Sequence, residues 1–240
     1  MSSNFDLFKG LLRMMEIRGY DTSYYNFSPD ITSDTFDTII IPWLIEHPTS
    51  VRRFLIEKGK NTSRYMLSST FEHLTRPGDR CIIFFTELGS AKTVPLSETC
   101  TFGELYLNER SDPFEGGVTT GIIVSSVKLS NNAQQRLTEF KNVDPNIFLQ
   151  HFLDIDILYN PNESIWGSTF TAFSLEESAK FLVENGLTRN QLPLIDISYP
   201  ICKYNGIRPD QILEFDRHTF IPDVTVHNEI HYRLTIERTH

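Results

Sequence analysis

The sequence has 240 residues, of which 40% are hydrophobic and 12% aromatic, so the chain can bury the core of one large domain or two small ones. Its formal net charge of −9 excludes a protein that holds nucleic acid through its overall charge, because affinity for a polyanion depends mainly on Lys and Arg. No stretch approaches the roughly 18 apolar residues of a membrane span, so we expect an intracellular protein with no membrane partner.

The N-terminal segment predicts an amphipathic helix that ends at Gly19. Its apolar residues recur every three or four positions: Phe5, Phe8, Leu12 and Met15. Residues 20–38 are rich in Ser, Thr and Asp without a sustained period, which predicts a loop with at most one short helix. The run TIIIPWLI that begins at Thr38 is apolar and β-branched but contains Pro42, a pattern that favours an edge strand.

Strands and helices are predicted to alternate through the middle of the chain. DRCIIFFTE (79–87) and TTGIIVSSVKL (119–129) are short β-branched or aromatic runs typical of buried strands. SETCTFGELYLNE lies between them and predicts a helix with Ser97 as N-cap, and a second helix is predicted over SNNAQQRLTEFKN (130–142). This alternation implies an α/β layer domain over residues 1–158.

A turn-rich stretch, YNPNESIWGS, starts at Tyr159 and separates this region from a smaller one. Ser174 and Glu177 form a capping box for a helix that Gly186 ends. Its expected apolar face consists of Leu175, Ala179, Leu182 and Val183. Short strands are predicted beyond it around LPLIDI, ICKY, QILEF and EIHYRLTIE. We therefore predict an α/β (α+β) protein, with an N-terminal α/β domain (1–158) and a small mixed domain (159–240).

Residues 52–80 carry a local excess of positive charge, with seven basic against three acidic side chains. The basic residues are Arg52, Arg53, Lys58, Lys60, Arg64, Arg76 and Arg80. This excess suffices for a weak phosphate-facing patch. A solvated charged face is the favoured interpretation of the same run.

Enzyme motifs have little support in the sequence. It contains no G-x-S-x-G, Walker loop or G-x-G-x-x-G, and its three cysteines form no Cys-x-x-Cys pair. His227 and His231 in HNEIH lie on a predicted strand without the zinc-protease order, and Glu139 with Lys141 forms a Glu-x-Lys triplet whose members point to different sides of a helix. A metal-dependent nuclease-like enzyme stays open as an alternative, but we expect no cofactor and no metal site.

An ordered motif runs through the C-terminal region: Arg-x-x-Gln-Leu-Pro-x-Ile, then a Pro, a Tyr-x-Gly turn and a terminal Tyr-Arg. It resembles the C-terminal module of the fifth subunit of eukaryotic nuclear RNA polymerases, a module that archaeal polymerases carry as a separate small subunit. The matching residues are Arg189, Gln191, Leu192, Pro193, Ile195, Pro200, Tyr204, Gly206, Tyr232 and Arg233. Lower-specificity matches upstream, such as MEIRGY and GIIV, extend the resemblance over most of the chain, with 21–78 the poorest part.

The resemblance implies a non-catalytic subunit of a DNA-directed RNA polymerase. The ten matching residues would form the interface with the largest subunit, and residues 1–158 would form a jaw beside downstream duplex DNA. The family's jaw loop corresponds to Ser130, Asn131, Asn132 and Ala133, which could donate hydrogen bonds to phosphates or simply cap the following helix. We expect other polymerase subunits as partners and no homo-oligomer.

Several positions depart from the family pattern, which bears on where the protein acts. The family's Asp-Pro is Tyr199-Pro200 here, and its short Ser-Glu-Thr hairpin is replaced by the longer RHTFIPDVTVHNE. Such divergence suits a large DNA virus that encodes its own polymerase better than a subunit shared among cellular enzymes. We therefore expect the nucleus if the protein is cellular, and the virion or a cytoplasmic viral factory if it is viral.

Overall fold

The structure is a computed structural model that describes residues 3–25, 27, 31–87, 91–110, 117–144, 146–163, 169–219 and 227–237. Of residues 217–219 and 227–229 it describes the backbone alone. The chain divides into two compact units, Met1–Tyr159 and Asn160–His240, which we call unit 1 and unit 2. This division falls one residue from the boundary that the sequence suggests. The roles assigned to the two regions stay predictions.

Unit 1 begins with a set of short helices. They are α1 (Asn4–Ile17), a 3-10 turn (Ser23–Tyr25), α2 (Ser33–Thr35), a π-helical turn (Phe36–Ile40), α3 (Ile41–Glu46), α4 (Ser50–Glu57) and a 3-10 turn (Tyr65–Leu67). The predicted first helix is confirmed: the Ser3 side chain caps it by accepting from the Asp6 N–H at 3.1 Å, and Gly19 ends it with φ +81°. The N–H of Gly19 donates to the carbonyl of Glu16, and the N–H of Tyr20 donates to that of Met15, which together form a Schellman motif.

The predicted edge strand around Pro42 is wrong, since residues 36–46 are helical. Pro42 is the second residue of α3 and follows directly on the π-helical turn, in which the Ile41 N–H donates to the Phe36 carbonyl. Phe36, Ile41 and Leu44 are buried, while Ile39 and Trp43 face solvent, so the apolar run has a helical face. A short continuous apolar run does not by itself distinguish a buried strand from such a helix, which is why the sequence misled here.

The centre of unit 1 is a four-stranded sheet in the order β1-β2-β3-β4. Its strands are β1 (Ser69–Glu72), β2 (Arg80–Phe85), β3 (Val118–Ser125) and β4 (Phe148–Leu153). β1 runs antiparallel to β2, and β2, β3 and β4 are parallel. Helices α5 (Leu96–Arg110) and α6 (Asn131–Val143) connect the parallel strands, and α7 (Asp154–Leu158) follows β4. Every residue of β2 is buried, so this strand lies at the centre of the core and the predicted strands are confirmed.

Close packing of α5 on the sheet requires a glycine in β3. A Cβ at Gly121 would lie 2.6 Å from the Phe102 ring and 2.8 Å from the Leu149 side chain, which is well inside contact distance. The helix predicted over SETCTFGELYLNE is confirmed as α5, but Ser97 is not its N-cap. The helix begins one residue earlier, at Leu96 immediately after Pro95, so Ser97 lies inside the first turn.

Unit 2 contains a second four-stranded sheet, in the order β5-β7-β8-β6. The strands are β5 (Thr169–Ala172), β6 (Leu194–Asp196), β7 (Ile212–Thr219) and β8 (His227–Ile236), and the helices are α8 (Leu175–Glu184) and α9 (Pro200–Tyr204). Two 3-10 turns, Pro161–Glu163 and Arg189–Gln191, complete the unit. β7 is antiparallel to both β5 and β8, and β6 is parallel to β8.

Apolar side chains occupy both faces of this sheet because consecutive strand residues point to opposite sides. Leu213 joins a cluster with Ile195, Cys202 and Ile207. Its neighbour Ile212 joins another cluster, which includes Leu192, Leu234 and the partly buried Phe181 and Tyr232. Unit 2 therefore has a hydrophobic core of its own, as an independently folding module requires.

The capping box of α8 is confirmed, because Ser174 Oγ accepts from the Glu177 N–H and the Glu177 carboxylate accepts from the Ser174 N–H. The predicted apolar face of α8 is wrong in part. Leu175 is 54% and Val183 81% exposed, and Ala179 also faces solvent, whereas Ser178 is buried. Ser178 faces the sheet because its Oγ accepts a 2.9 Å hydrogen bond from the Ile212 N–H.

The predicted strand around ICKY is also wrong, since these residues belong to α9. Pro200 is the first residue of this helix, a position that suits its fixed φ. Gly206 ends the helix with φ +68°, and the Ile207 N–H donates to the Cys202 carbonyl at 3.0 Å. Both units thus combine helices with a mixed sheet, which confirms the α+β fold class. Within the described residues, no helix has both the length and the apolar character needed to cross a membrane.

Candidate interaction surfaces

The motif of unit 2 is held together mainly by backbone and capping contacts. Gln191 Oε1 accepts hydrogen bonds from the Thr188 N–H at 2.7 Å and from the Thr188 hydroxyl at 2.9 Å, which fixes the 3-10 turn. The Arg189 guanidinium forms an ion pair with Asp210, a non-glycine residue with φ +71°. The side chains of Arg189 and Gln191 therefore secure turns on the surface of unit 2 and remain exposed.

The ten motif residues separate into two groups by exposure. Leu192, Ile195 and Tyr204 are 9%, 8% and 1% exposed, so their side chains pack inside the core of unit 2. The others are exposed or partly exposed: Arg189, Gln191, Pro193, Pro200, Gly206, Tyr232 and Arg233. The buried three set the shape of the segment, and the remaining seven are available to a partner.

Four apolar residues in and beside this motif are exposed. Leu194 is 47% and Tyr199 60% exposed, and both lie beside the exposed prolines Pro193 and Pro200. We call these four residues the Pro-Leu surface. Two prolines give it a fixed backbone, and it carries no charged side chain of its own. Such a surface suits a stable protein interface.

Tyr232 occupies an aromatic group on the opposite side of the β7-β8 pair from the Ile195 cluster. Its ring centroid lies 4.6 Å from that of Phe181, and Phe173 packs beside both rings. Burial and, secondarily, the neighbouring Glu214 raise the pKa of the Tyr232 hydroxyl above its ordinary value. Its neighbour Arg233 lies opposite Leu213 in the strand register.

The loop that precedes α6 caps that helix. Ser130 Oγ accepts a 3.3 Å hydrogen bond from the Ala133 N–H, which makes Ser130 the N-cap that the sequence suggested. Ala133 is fully buried with Val94 and Leu129, so its methyl group cannot contact a partner directly. Asn131 and Asn132 are exposed and form the first turn of the helix.

Two lysines that sequence reasoning missed lie beside this loop. Val94 and Leu129 form a parallel β-bridge, in which the Val94 N–H donates to the Lys128 carbonyl and the Ser130 N–H donates to the Val94 carbonyl. The bridge places the segments that carry Lys92 and Lys128 side by side. Both lysines are exposed, and neither forms an ion pair with a described residue. We call Lys92, Lys128, Ser130, Asn131 and Asn132 the capping-loop surface.

The basic run of residues 52–80 is not a free cationic patch. Five of its seven basic residues form ion pairs within unit 1: Lys58–Glu104, Lys60–Glu98, Arg64–Asp154, Arg76–Asp79 and Arg80–Glu109. Arg52 is fully buried, and Arg53 is exposed. The local excess in sequence is therefore offset by carboxylates from other segments, so neither a phosphate-facing patch nor a simple solvated face describes it.

Glu139 and Lys141, weighed as part of a nuclease site, do not converge. Glu139 lies on the exposed face of α6 and accepts a 3.3 Å hydrogen bond from Arg136, while Lys141 is two positions further along the helix. His231 is exposed on β8, and the side chain of His227 lies outside the described residues. Among the described residues, no three His, Cys, Asp or Glu side chains are grouped so that they could hold a metal ion.

Comparison with known proteins identifies relatives of the chain. It is 25% identical over 177 residues to a Caenorhabditis elegans protein named DNA-directed RNA polymerases I, II, and III subunit RPABC1, and this match covers 74% of the chain and 76% of the relative. The protein of the same name from Caenorhabditis briggsae matches with the same identity and coverage. The chain is a distant relative of these polymerase subunits. No family model matches it.

The RPABC1 match agrees with the resemblance that the ordered motif indicated. It spans about three quarters of both proteins, so it is too long to be confined to unit 2, which begins at Asn160. Similarity to RPABC1 therefore includes part of unit 1 as well. At 25% identity most side chains differ, so individual surface residues have to be argued from this chain's own structure.

Proposed function

We propose that the chain is a non-catalytic structural subunit of a multisubunit DNA-directed RNA polymerase. The observation that carries this proposal is the similarity to RPABC1 over most of both chains. It gains support from a second unit with its own core, which presents the motif on a fixed surface. In this role the chain would contribute contacts and shape, while the active site would belong to other subunits.

Unit 2 is the proposed docking module for the largest polymerase subunit. The Pro-Leu surface supports this assignment because it is exposed, apolar and held rigid by two prolines. Leu175, Ala179 and Val183 add a second exposed apolar row along α8. Obligate subunit interfaces are more hydrophobic than transient ones, and these surfaces fit that class of contact.

Unit 1 is the proposed jaw beside downstream duplex DNA, with the capping-loop surface facing the phosphates. Two lysines and the amides of Asn131 and Asn132 provide cations and donors that would contact the backbone without reading sequence. The assembled polymerase would supply most phosphate contacts, so a chain with a net charge of −9 can still serve this role. It would act in the nucleus if cellular, and in a virion or cytoplasmic viral factory if viral.

The test is affinity purification of the tagged full-length chain from its own source, followed by quantitative mass spectrometry. We expect the two largest polymerase subunits to be recovered at equal stoichiometry with the chain and to persist through a high-salt wash. Recovery of the chain without polymerase subunits would contradict the proposal. So would cleavage of duplex DNA by the purified chain with Mg²⁺ or Mn²⁺, which would favour the nuclease-like alternative.

A further inference from the structure

A cavity of about 300 Å³ opens on unit 1 near the Ser23–Tyr25 turn, the start of α4 and strand β1. The residues that line it include the aromatic residues Tyr24, Tyr25 and Phe71, together with His47, and the acidic residues Asp21 and Glu72. The volume is at the lower end of the range for ligand pockets, which is about 300–1,000 Å³. The cavity therefore has room for one side chain or a small group.

Two tyrosine rings make a corner of this cavity. The centroids of Tyr24 and Tyr25 are 4.9 Å apart and the rings are perpendicular, at 88°. Tyr24 is 59% exposed although it is large and aromatic. His47 stacks on Trp43 at 5.1 Å. Arg52 already lies over the buried Tyr25 ring, so the exposed ring of Tyr24 is the aromatic surface open to an occupant. The face of an aromatic ring attracts cations through its quadrupole.

Tyr25 is a rigid wall because its hydroxyl and its ring are both fixed. Arg52 Nη2 donates to the Tyr25 hydroxyl at 3.0 Å, and the Ser69 hydroxyl lies at the same distance from it. The ring packs edge-on against Phe8 at 5.2 Å. Tyr25 itself is 5% exposed, so it cannot easily move on binding. The corner is thus preorganised, which reduces the cost of ordering it when a ligand binds.

The two acidic residues that line the cavity are joined through their backbones. The Asp21 N–H donates to the Glu72 carbonyl oxygen at 2.8 Å. Hydrogen bonds from the side chain and backbone N–H of Ser23 keep the pKa of Asp21 below its usual value, which favours the charged carboxylate. Neither Asp21 nor Glu72 forms an ion pair with a described residue, whereas Glu98, Glu104, Glu109 and Asp154 of the same unit are all paired.

We propose that this cavity binds an arginine side chain presented by a protein partner. A planar guanidinium can stack on the exposed Tyr24 ring and donate to two carboxylates at once, which the compact ammonium of lysine cannot do equally well. Arg52 places a fixed positive charge 5.4 Å from the centre of the Tyr25 ring, so an arriving cation meets repulsion from it. Binding therefore requires Asp21 and Glu72. This site is independent of the polymerase role proposed above.

The first test titrates the isotope-labelled full-length chain with the blocked peptide Gly-Ala-Arg-Ala-Gly while recording NMR spectra. We expect saturable shifts of the signals of Tyr24, His47 and Glu72. The same peptide with citrulline, which keeps the shape but loses the charge, should bind about tenfold more weakly, and the lysine peptide should bind more weakly than the arginine peptide. Absence of saturable shifts, or equal binding of the citrulline or lysine peptide, would overturn the proposal.

The second test uses matched charge changes. The double variant Asp21→Asn and Glu72→Gln should lower the affinity for the arginine peptide about tenfold, with an unchanged circular dichroism spectrum. The control variant Glu57→Gln and Glu176→Gln changes the net charge equally through exposed carboxylates outside the cavity, and it should bind as the wild type does. An equal loss in both variants would show general attraction to an acidic protein and no site.

Discussion

The carbonyl oxygen of Pro193 accepts a 2.9 Å hydrogen bond from the N–H of Leu234, which joins the Leu-Pro segment of the motif to the last strand of unit 2. This hydrogen bond therefore connects the two ends of the motif, which are far apart in sequence. The neighbouring Leu192 packs against Leu234 in the same cluster. Substitutions that disturb this connection should affect stability and docking together. Substitutions confined to the exposed side chains should affect docking alone.

The turn at Gly206 is the first place to separate these effects. Because its φ is +68°, Gly206→Val should destabilise unit 2 by about 1–3 kcal/mol and reduce incorporation into the polymerase. Gly206→Asn is the matched control. Asparagine adopts this conformation more readily than valine, so this variant should lose much less stability. Urea unfolding of the full chain measures the difference. Unfolding of the valine variant at the wild-type denaturant concentration would show that the turn does not require glycine.

Exposed residues of the Pro-Leu surface should matter for docking and not for folding. Replacing Leu194 and Tyr199 with Ser should lower incorporation about tenfold or more, because burying each side chain at an interface contributes roughly 1.5–3 kcal/mol. The melting temperature should stay near that of the wild type. Ile155→Ser is the control, since Ile155 is 64% exposed in unit 1. Equal incorporation of all variants in a quantitative pull-down would assign docking to another surface.

Two ion pairs of unit 1 offer a comparison of buried and exposed charges. Arg80 and Glu109 are each 3% exposed and lie 3.2 Å apart, while Lys58 and Glu104 are 48% and 55% exposed. Glu109→Gln should destabilise the protein by about 3–5 kcal/mol, because it leaves the Arg80 charge buried without that carboxylate. Glu104→Gln should cost less than about 1 kcal/mol. Similar free energies of unfolding for the two variants would contradict this ranking.

Alkaline unfolding should depend on Tyr106. Burial, followed by the hydrogen bond to Asp144, raises the pKa of its hydroxyl to about 12. The protonated form is favoured in the folded state, so this contribution is complete below the unfolded pKa near 10 and is lost as pH rises towards 12. Tyr106→Phe should remove about 2–3 kcal/mol of the stability lost over this window. Parallel stability curves for variant and wild type from pH 9 to about 12 would exclude this role.

Most of the fold follows from local sequence signals. The capping residues Ser130 and Ser174 mark helix starts correctly, and the buried strands around Ile82 and Ile122 are evident from their composition. The errors share a physical cause. Pro42 was assigned to an edge strand and the residues after Pro200 to another strand, but both prolines lie at the start of an α-helix, where proline is tolerated. The presence of a proline alone does not distinguish a strand from the first turn of a helix.

The surfaces were less predictable than the elements, because they depend on contacts between distant segments. The isolated bridge between Val94 and Leu129 brings Lys92 beside Lys128, and no local pattern indicates it. Residues 52–80 have an excess of positive charge in the sequence, but in the structure carboxylates from other elements, such as Glu109, offset it. Local charge counts do not show which cations are paired, and the fold was needed to show that Lys92 and Lys128 form no ion pair with a described residue.

The capping-loop surface should contribute to DNA retention through charge. Changing Asn131 and Asn132 to Asp places negative charge beside phosphates and removes donors, so the polymerase should retain downstream duplex less well, most of all at low salt. Asn142→Asp at the far end of α6 is the control and should have little effect. In a competition assay, the retention of duplexes of different sequence should fall by the same factor. A loss confined to one sequence would indicate base contact, and no loss would leave the loop as a helix cap only.

Lysine acetylation footprinting of the intact polymerase tests most directly whether unit 2 docks on the polymerase while unit 1 faces DNA. Compared with the free chain, Lys180 and Lys203 of unit 2 should be protected by assembly whether or not DNA is present. Lys92 and Lys128 should become protected only when downstream duplex is added, and the exposed Lys9 serves as an internal reference. The proposed roles would be contradicted if Lys180 and Lys203 reacted as in the free chain while Lys92 and Lys128 reacted equally with and without DNA.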